Sequence, residues 1–141
     1  PTWLSKATMR LIIRRLTIVI IIMPSECTLY HNNRCSKSRA ALALLESRGI
    51  EAETVHYLTT PPDLATLTEI FRKLGLDDVR GMMRVKDDLY KELGLNAPDI
   101  GNDALLAAIA EHPALLERPI LVGRERAAIG RPLENIEALL A

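Results

Sequence analysis

The chain has 141 residues, with 18 Lys+Arg against 18 Asp+Glu, 48% hydrophobic, 26% charged and 4% aromatic. These values describe one globular domain with an ordinary core and leave no room for a second full-size domain. Zero net charge argues against a nucleic-acid-coating protein, which needs a basic surplus or face to meet phosphate, and two cysteines cannot build a disulfide scaffold.

The even balance hides an asymmetry. Residues 1–22 carry Lys6, Arg10, Arg14 and Arg15 and no acid, which leaves the rest of the chain with 14 basic against 18 acidic residues, a net −4. An unbroken apolar run spans only Ile18 to Pro24, short of the roughly 20 residues a membrane-spanning helix needs. Pro24-Ser25-Glu26-Cys27 is neither a small-x-small cleavage site nor a good lipid-attachment box, which argues against export. Residues 1–22 are therefore read as an extension outside a domain that begins at Met23. If the extension belongs to the protein, its β-branched run Thr17 to Ile22 could add an edge strand or make a sticky surface.

Cys27 to His31 reads as a short strand, the polar Asn32-Asn33-Arg34 as a turn, and Ser36 to Arg48 as a helix stopped by Gly49. Glu53 to Leu58 alternates and is β-rich, so 27–58 form a βαβ unit with right-handed crossover and parallel strands. Thr60-Pro61-Pro62-Asp63 then offers an N-cap, a first-turn proline and an acid ahead of Leu64, Leu67, Ile70, Phe71 and Leu74, with Gly75 as the stop. Short helical pieces follow around Asp78–Met83 and Asp87–Leu93, and Asn102 is expected to cap Asp103–Glu111. Ile120-Leu121-Val122 and Ala127-Ala128-Ile129 flank Gly123 to Arg126 as a hairpin, and Pro132 opens a final helix. The order β-α-β, helical insert, β-β-α suits an α/β fold with a four-stranded mixed sheet covered by helices.

Cys35 is the residue with chemistry. It stands between the first strand and its helix, where unpaired N–H groups and the helix dipole favour an anion. An ordinary thiol with a pKa of ~8.5 is only about 3% ionised at pH 7, and the helix terminus supplies roughly 0.7 of a pK unit, so the dipole alone is insufficient. Arg34-Cys35-Ser36-Lys37-Ser38-Arg39 places three cations and two hydroxyls around that sulfur, a combination that lowers a thiol pKa and holds an oxyanion. The C-x3-R spacing is not the C-x5-R loop of tyrosine phosphatases, and Ser38 in place of a second cysteine excludes a thioredoxin C-x-x-C. A polar turn is a poor place to bury a cysteine, so Cys35 is expected to be reactive, and Cys27, within the first strand, a packing residue. His31, His56 and His112 lack metal-ligand spacing, so no metal site is expected. Arg84, Arg118 and Arg131, taken singly, read as solvated surface charges, and Met82 and Met83 as gap-filling core.

With Tyr30-His31-Asn32-Asn33-Arg34-Cys35-Ser36-Lys37-Ser38-Arg39, His56-Tyr57-Leu58, Pro61-Pro62, Leu89 to Leu95, Glu117-Arg118-Pro119-Ile120 and Ile129-Gly130-Arg131-Pro132 in order, residues 26–140 resemble the glutaredoxin-linked arsenate reductase family. The resemblance implies a thioredoxin/glutaredoxin-like fold with a helical insert between its βαβ and ββα halves. It makes Cys35 the nucleophile that attacks arsenate, places Ser36, Lys37, Ser38 and Arg39 on an anion-binding loop, and makes Arg84, Arg118 and Arg131 the outlying cations. His31 either assists the thiol or is structural, and Pro119 is a candidate cis-proline. The implied reaction needs no bound cofactor: glutathione is the co-substrate, a mixed Cys35–glutathione disulfide forms, and glutaredoxin resolves it with release of arsenite. Asn33 stands where many members carry proline, and the extension before Met23 is foreign to the family. Two alternatives share the fold, a glutathione-dependent thiol oxidoreductase without arsenate activity and an Spx-type redox regulator that binds RNA polymerase. Thiol chemistry and the poor export signal imply a cytoplasmic protein without nucleic-acid or membrane partners.

Overall fold

The computed structural model describes residues 26–141; the extension assigned to residues 1–22 lies outside the described residues. Strand β1 (Thr28–His31) leads through a turn into helix α1 (Ser36–Ser47) and then β2 (Glu53–His56). Helices α2 (Leu64–Leu74), α3 (Asp88–Glu92) and α4 (Asn102–Glu111) follow, with 3-10 turns at Val79–Met82 and Pro113–Leu115. Strands β3 (Ile120–Val122) and β4 (Ala127–Ile129) and helix α5 (Glu134–Leu140) close the chain.

The sheet order is β2-β1-β3-β4, with β1 parallel to β2 and antiparallel to β3, and β3 antiparallel to β4. This is the mixed sheet expected from the element order, with the helical insert between its two halves. Side-chain alternation along a strand decides which layer each residue joins. Leu29 pairs with Leu121 and both face α1 and α5, in a cluster with Ala41, Leu45 and Ile136. Their neighbours Tyr30 and Ile120 also pair, and face the insert in a larger cluster with Leu67, Ile70, Met82, Leu105 and Leu116. β1 is thus covered on both faces. Fully burying Leu29 contributes about 1.5–3 kcal/mol, and the strand is a fixed base for the turn that leads from His31 to Cys35.

Several local signals act differently from their sequence reading. Asp63, not Thr60, caps α2: its carboxylate accepts from the Thr66 N–H at 2.8 Å. Asn102 lies inside α4 and caps nothing there; its side chain accepts from the Val79 N–H and donates to the Asp77 carbonyl, tying α4 to the 3-10 turn. Cys27 lies just outside β1, half-buried. Gly49 takes φ +65° after α1 and closes the helix by donating to the Glu46 carbonyl, a conformation that costs other residues.

Among the described residues, no helix is long and apolar enough to cross a membrane, and no group of three or more His, Cys, Asp or Glu could hold a metal ion.

Gly130 is where the segment after β4 meets the segment before β3 that carries Arg118. Its N–H donates to the Pro119 carbonyl at 2.8 Å, and a Cβ there would stand 2.6 Å from Ile136 Cδ1 and 2.8 Å from Pro119 Cγ. Ile136 is fully buried and a proline ring has little room to turn, so the overlap cannot be relieved cheaply. Gly130→Ala is expected to cost about 1–3 kcal/mol and lower the melting temperature by roughly 5 °C, measured by calorimetry.

Candidate active site

Cys35 is the N-cap of α1, with extended backbone. Its N–H donates to the Asn32 carbonyl and its carbonyl accepts from the Arg39 N–H, each at 3.0 Å, so the loop is wound tightly before the helix begins. Cys35 is 8% exposed, which corrects the expectation that a polar turn would leave it open. What buries it is cationic and polar. Burial pushes the thiol pKa up, but the backbone N–H groups of Ser38 and Lys37, the charge of Arg118 and a hydrogen bond from Arg131 outweigh it and hold Cys35 below the ordinary thiol value. Arg131 Nη2 lies 3.3 Å from Sγ.

The residues expected to form an anion-binding loop meet the Cys35 sulfur through backbone N–H groups, those of Ser38 and Lys37. Ser36, Lys37 and Arg39 are exposed, and Arg39 Nη1 donates to the Asn33 carbonyl at 2.8 Å, bracing the loop. Ser38 is fully buried, and its Oγ is taken up by His31 Nδ1 at 2.6 Å while accepting from the Asn32 N–H at 3.0 Å. His31 Nε2 meets Asn33 Oδ1 at 2.7 Å. A neutral histidine protonated on Nε2 satisfies the whole chain: it donates to Asn33 and accepts from the Ser38 hydroxyl. His31 therefore braces the loop from behind and does not touch the sulfur in this structure.

His31 is 1% exposed and burial holds its pKa below the ordinary histidine value, against the opposing pull of its Asn33 bond. The unfolded chain takes up the proton first on acidification. The contribution to stability is thus full above pH ~6.5 and is lost as pH falls through the lower folded value. The melting temperature is expected to fall more steeply between pH 7 and pH 5 in the wild type than in His31→Gln; equal slopes would show that this histidine is not held neutral.

Arg84, Arg118 and Arg131 line one cavity of about 260 Å³. They come from different places, the loop after a 3-10 turn, the segment before β3 and the segment after β4. Arg118-Pro119 and Arg131-Pro132 are both cis peptide bonds. The Arg118 carbonyl accepts from Arg131 Nε at 2.7 Å, which joins the two segments. Arg84 pairs with Asp87, Nε to Oδ2 at 2.8 Å, and its backbone N–H donates to the Leu115 carbonyl. The Arg118 side chain is only 12% exposed, and among the described residues its Nε is the one buried side-chain polar atom without a hydrogen-bond partner. An unsatisfied buried donor costs about 1–3 kcal/mol, and the arginine that carries it lines the cavity and lowers the Cys35 thiol pKa by its charge.

Three further residues belong to this site. Glu117 and Asp87 line the same cavity. Tyr57 is 1% exposed; burial raises its phenol pKa, while the charges of Arg118 and Arg84 and the Asn32 side chain act on it in the opposite direction. Both Glu117 and Tyr57 stand within the segments that carry the family resemblance, but nothing in their spacing assigns them a task.

A larger cavity of about 590 Å³ lies at the other end of β1, beside Cys27, between Ile50, Leu121 and Leu140. There the Cys27 thiol is pushed up by burial and by Glu26. It packs against the smaller core cluster. Of the two cysteines, the one with arginine donors is Cys35.

The ArsC family model matches residues 30–139. An arsenate reductase of Neisseria meningitidis serogroup A is 70% identical over 115 residues, 82% of this chain and 98% of that protein. An arsenate reductase of Escherichia coli is 34% identical, with 82% of each chain covered. The solved structure of an arsenate reductase from Vibrio cholerae superposes with a TM-score of 0.77 at 47% identity, covering 82% of this chain and 98% of that one. With the ArsC model matching residues 30–139 and these relatives covered over most of their length, on a chain with βαβ and ββα halves and a cysteine at the head of α1, this chain belongs to the ArsC family.

Proposed function

We propose that the protein reduces arsenate to arsenite through Cys35 as its single nucleophile, with glutathione and glutaredoxin as reductants. The observation that carries this reading is the Arg131 guanidinium 3.3 Å from a Cys35 sulfur whose pKa is held down, beside a cavity lined by two further arginines. The 70% identical relative named as an arsenate reductase supports the substrate.

In the first step the Cys35 thiolate attacks arsenic and displaces one oxygen, which leaves as water after taking up protons, so that an S–As bond replaces an As–O bond. Arg118 and Arg131 meet the negative charge of the remaining oxygens as it redistributes. In the second, glutathione thiolate forms an S–S bond with Cys35, and the electron pair of the S–As bond passes to arsenic, which becomes arsenite. Glutaredoxin then reduces the mixed disulfide and returns the thiol. Cys27 is separated from Cys35 by the length of β1, so an external thiol is needed to resolve the disulfide. A reducing, glutathione-rich compartment follows, which is the cytoplasm.

The test is arsenite formation with glutathione and glutaredoxin together and with each left out. Turnover that requires both supports the full scheme. Turnover without glutaredoxin would overturn the resolving step, and a folded protein with a low-pKa Cys35 but no arsenite would shift the assignment to a glutathione-dependent thiol oxidoreductase.

A further inference from the structure

Every arginine of the cavity faces a carboxylate of this chain, but the pairs are not alike. Asp87 grips Arg84 at 2.8 Å, within the range of about 2.7–2.9 Å for a charge-assisted hydrogen bond. Glu117 is shared and held at a distance: its Oε1 stands 3.6 Å from Arg118 Nη1 and 3.5 Å from Arg131 Nε, and accepts from the Arg118 backbone N–H at 3.3 Å. Neither arginine depends on it for position. Arg131 is fixed by its 2.7 Å bond to the Arg118 carbonyl and by Cys35 Sγ. The Arg118 side chain is held by burial, and its Nε has no acceptor. The contribution of Glu117 to these two cations is therefore charge more than anchorage.

We propose that Glu117 is a specificity-determining residue, an internal carboxylate that lies against Arg118 and Arg131 and must be outcompeted by an incoming anion, so that the site admits tetrahedral dianions and refuses monoanionic carboxylates. A dianion with three or four acceptor oxygens offers more charge and more hydrogen bonds than the single Oε1 it displaces, whereas a carboxylate offers no more than Glu117 already does. Specificity is a difference of affinities, and a built-in competitor for the donors weakens every ligand, most decisively those that offer no more than it does. The inference rests on the reading of this cavity as an oxyanion site.

The test uses inorganic phosphate, a redox-inert tetrahedral anion, and acetate, a monoanion, as protectants of Cys35 against iodoacetamide at pH 7.5. Glu117→Gln removes the charge and keeps the shape. The phosphate concentration giving half-protection is expected to fall roughly tenfold in Glu117→Gln, and acetate, without effect on the wild type, is expected to begin to protect. Glu117→Ala should change both in the same direction, and it decides the matter if the glutamine variant does not fold. Half-protection at an unchanged or higher phosphate concentration would show that Glu117 braces the arginines and would overturn the proposal. Phosphate that protects neither wild type nor variant would overturn the oxyanion site itself, and the role of Glu117 with it.

Discussion

Cys35→Ser is expected to abolish arsenite formation, by at least about a thousandfold, while leaving the fold intact. A serine hydroxyl stays protonated at neutral pH where the Cys35 thiol, with its pKa held down by Ser38 and Lys37 N–H groups, Arg118 and Arg131 against the effect of burial, supplies thiolate. The fold should survive because Cys35 is the N-cap of α1, a position that serine favours. Cys27→Ser is the control. Its thiol is held above the ordinary value by burial and by Glu26, its Sγ meets the Glu51 carbonyl at 4.0 Å and no donor among the described residues, and its replacement should change activity by no more than about twofold. Alkylation at pH 7 followed by peptide mapping separates the two directly: Cys35 should be labelled first and Cys27 only at higher pH. Equal loss of activity in both variants would make Cys27 a redox partner and end the single-cysteine scheme.

The sequence was most legible where local chemistry and tertiary need coincide. Gly75 after Leu74 marks the end of α2, where the structure gives it φ +69°, and the alternation of Leu29 with Tyr30 already divides the two faces of the sheet. Caps were less legible because several residues compete for the same role. Thr60 and Asp63 both offer an oxygen ahead of α2, and only the backbone path after two prolines decides that Asp63 reaches the Thr66 N–H. Asn102 follows the same logic, since its amide is taken by Val79 and Asp77, partners 23 and 25 residues upstream. At the site, Cys35 with its neighbouring cations could be found from adjacent residues alone. Arg84, Arg118 and Arg131 could not, because long-range topology and not spacing assembles them, and they were reached only through resemblance. Glu117 and Tyr57 carry no such signal, since an acid beside an arginine and a tyrosine at a strand end are ordinary sequence features. The place of Glu117 in a cavity of like-charged arginines, and of Tyr57 within reach of the charges of Arg118 and Arg84, is a property of the folded chain.

Arg131→Lys is expected to lower turnover by roughly a hundredfold although the charge is kept. The arginine works at two places at once: Nε is fixed on the Arg118 carbonyl at 2.7 Å, and Nη2 lies 3.3 Å from Sγ. A planar guanidinium makes both contacts from one rigid fork, whereas an ammonium is a single point that can satisfy the carbonyl or the sulfur. Losing the first contact unties the segment after β4 from the segment before β3, and losing the second removes one of the influences that hold the thiol pKa down. Because that influence stabilises the thiolate, its removal raises the Cys35 pKa, and the alkylation rate profile should move to higher pH in Arg131→Lys. Iodoacetamide kinetics from pH 5 to pH 9 measure that shift independently of arsenate turnover. A profile that stays in place while turnover falls would leave Arg131 to the oxyanion alone. A shifted profile with turnover intact would mean that thiolate supply does not limit the reaction. Movement of both together is the result expected of a guanidinium that serves the sulfur and the oxyanion from one fork.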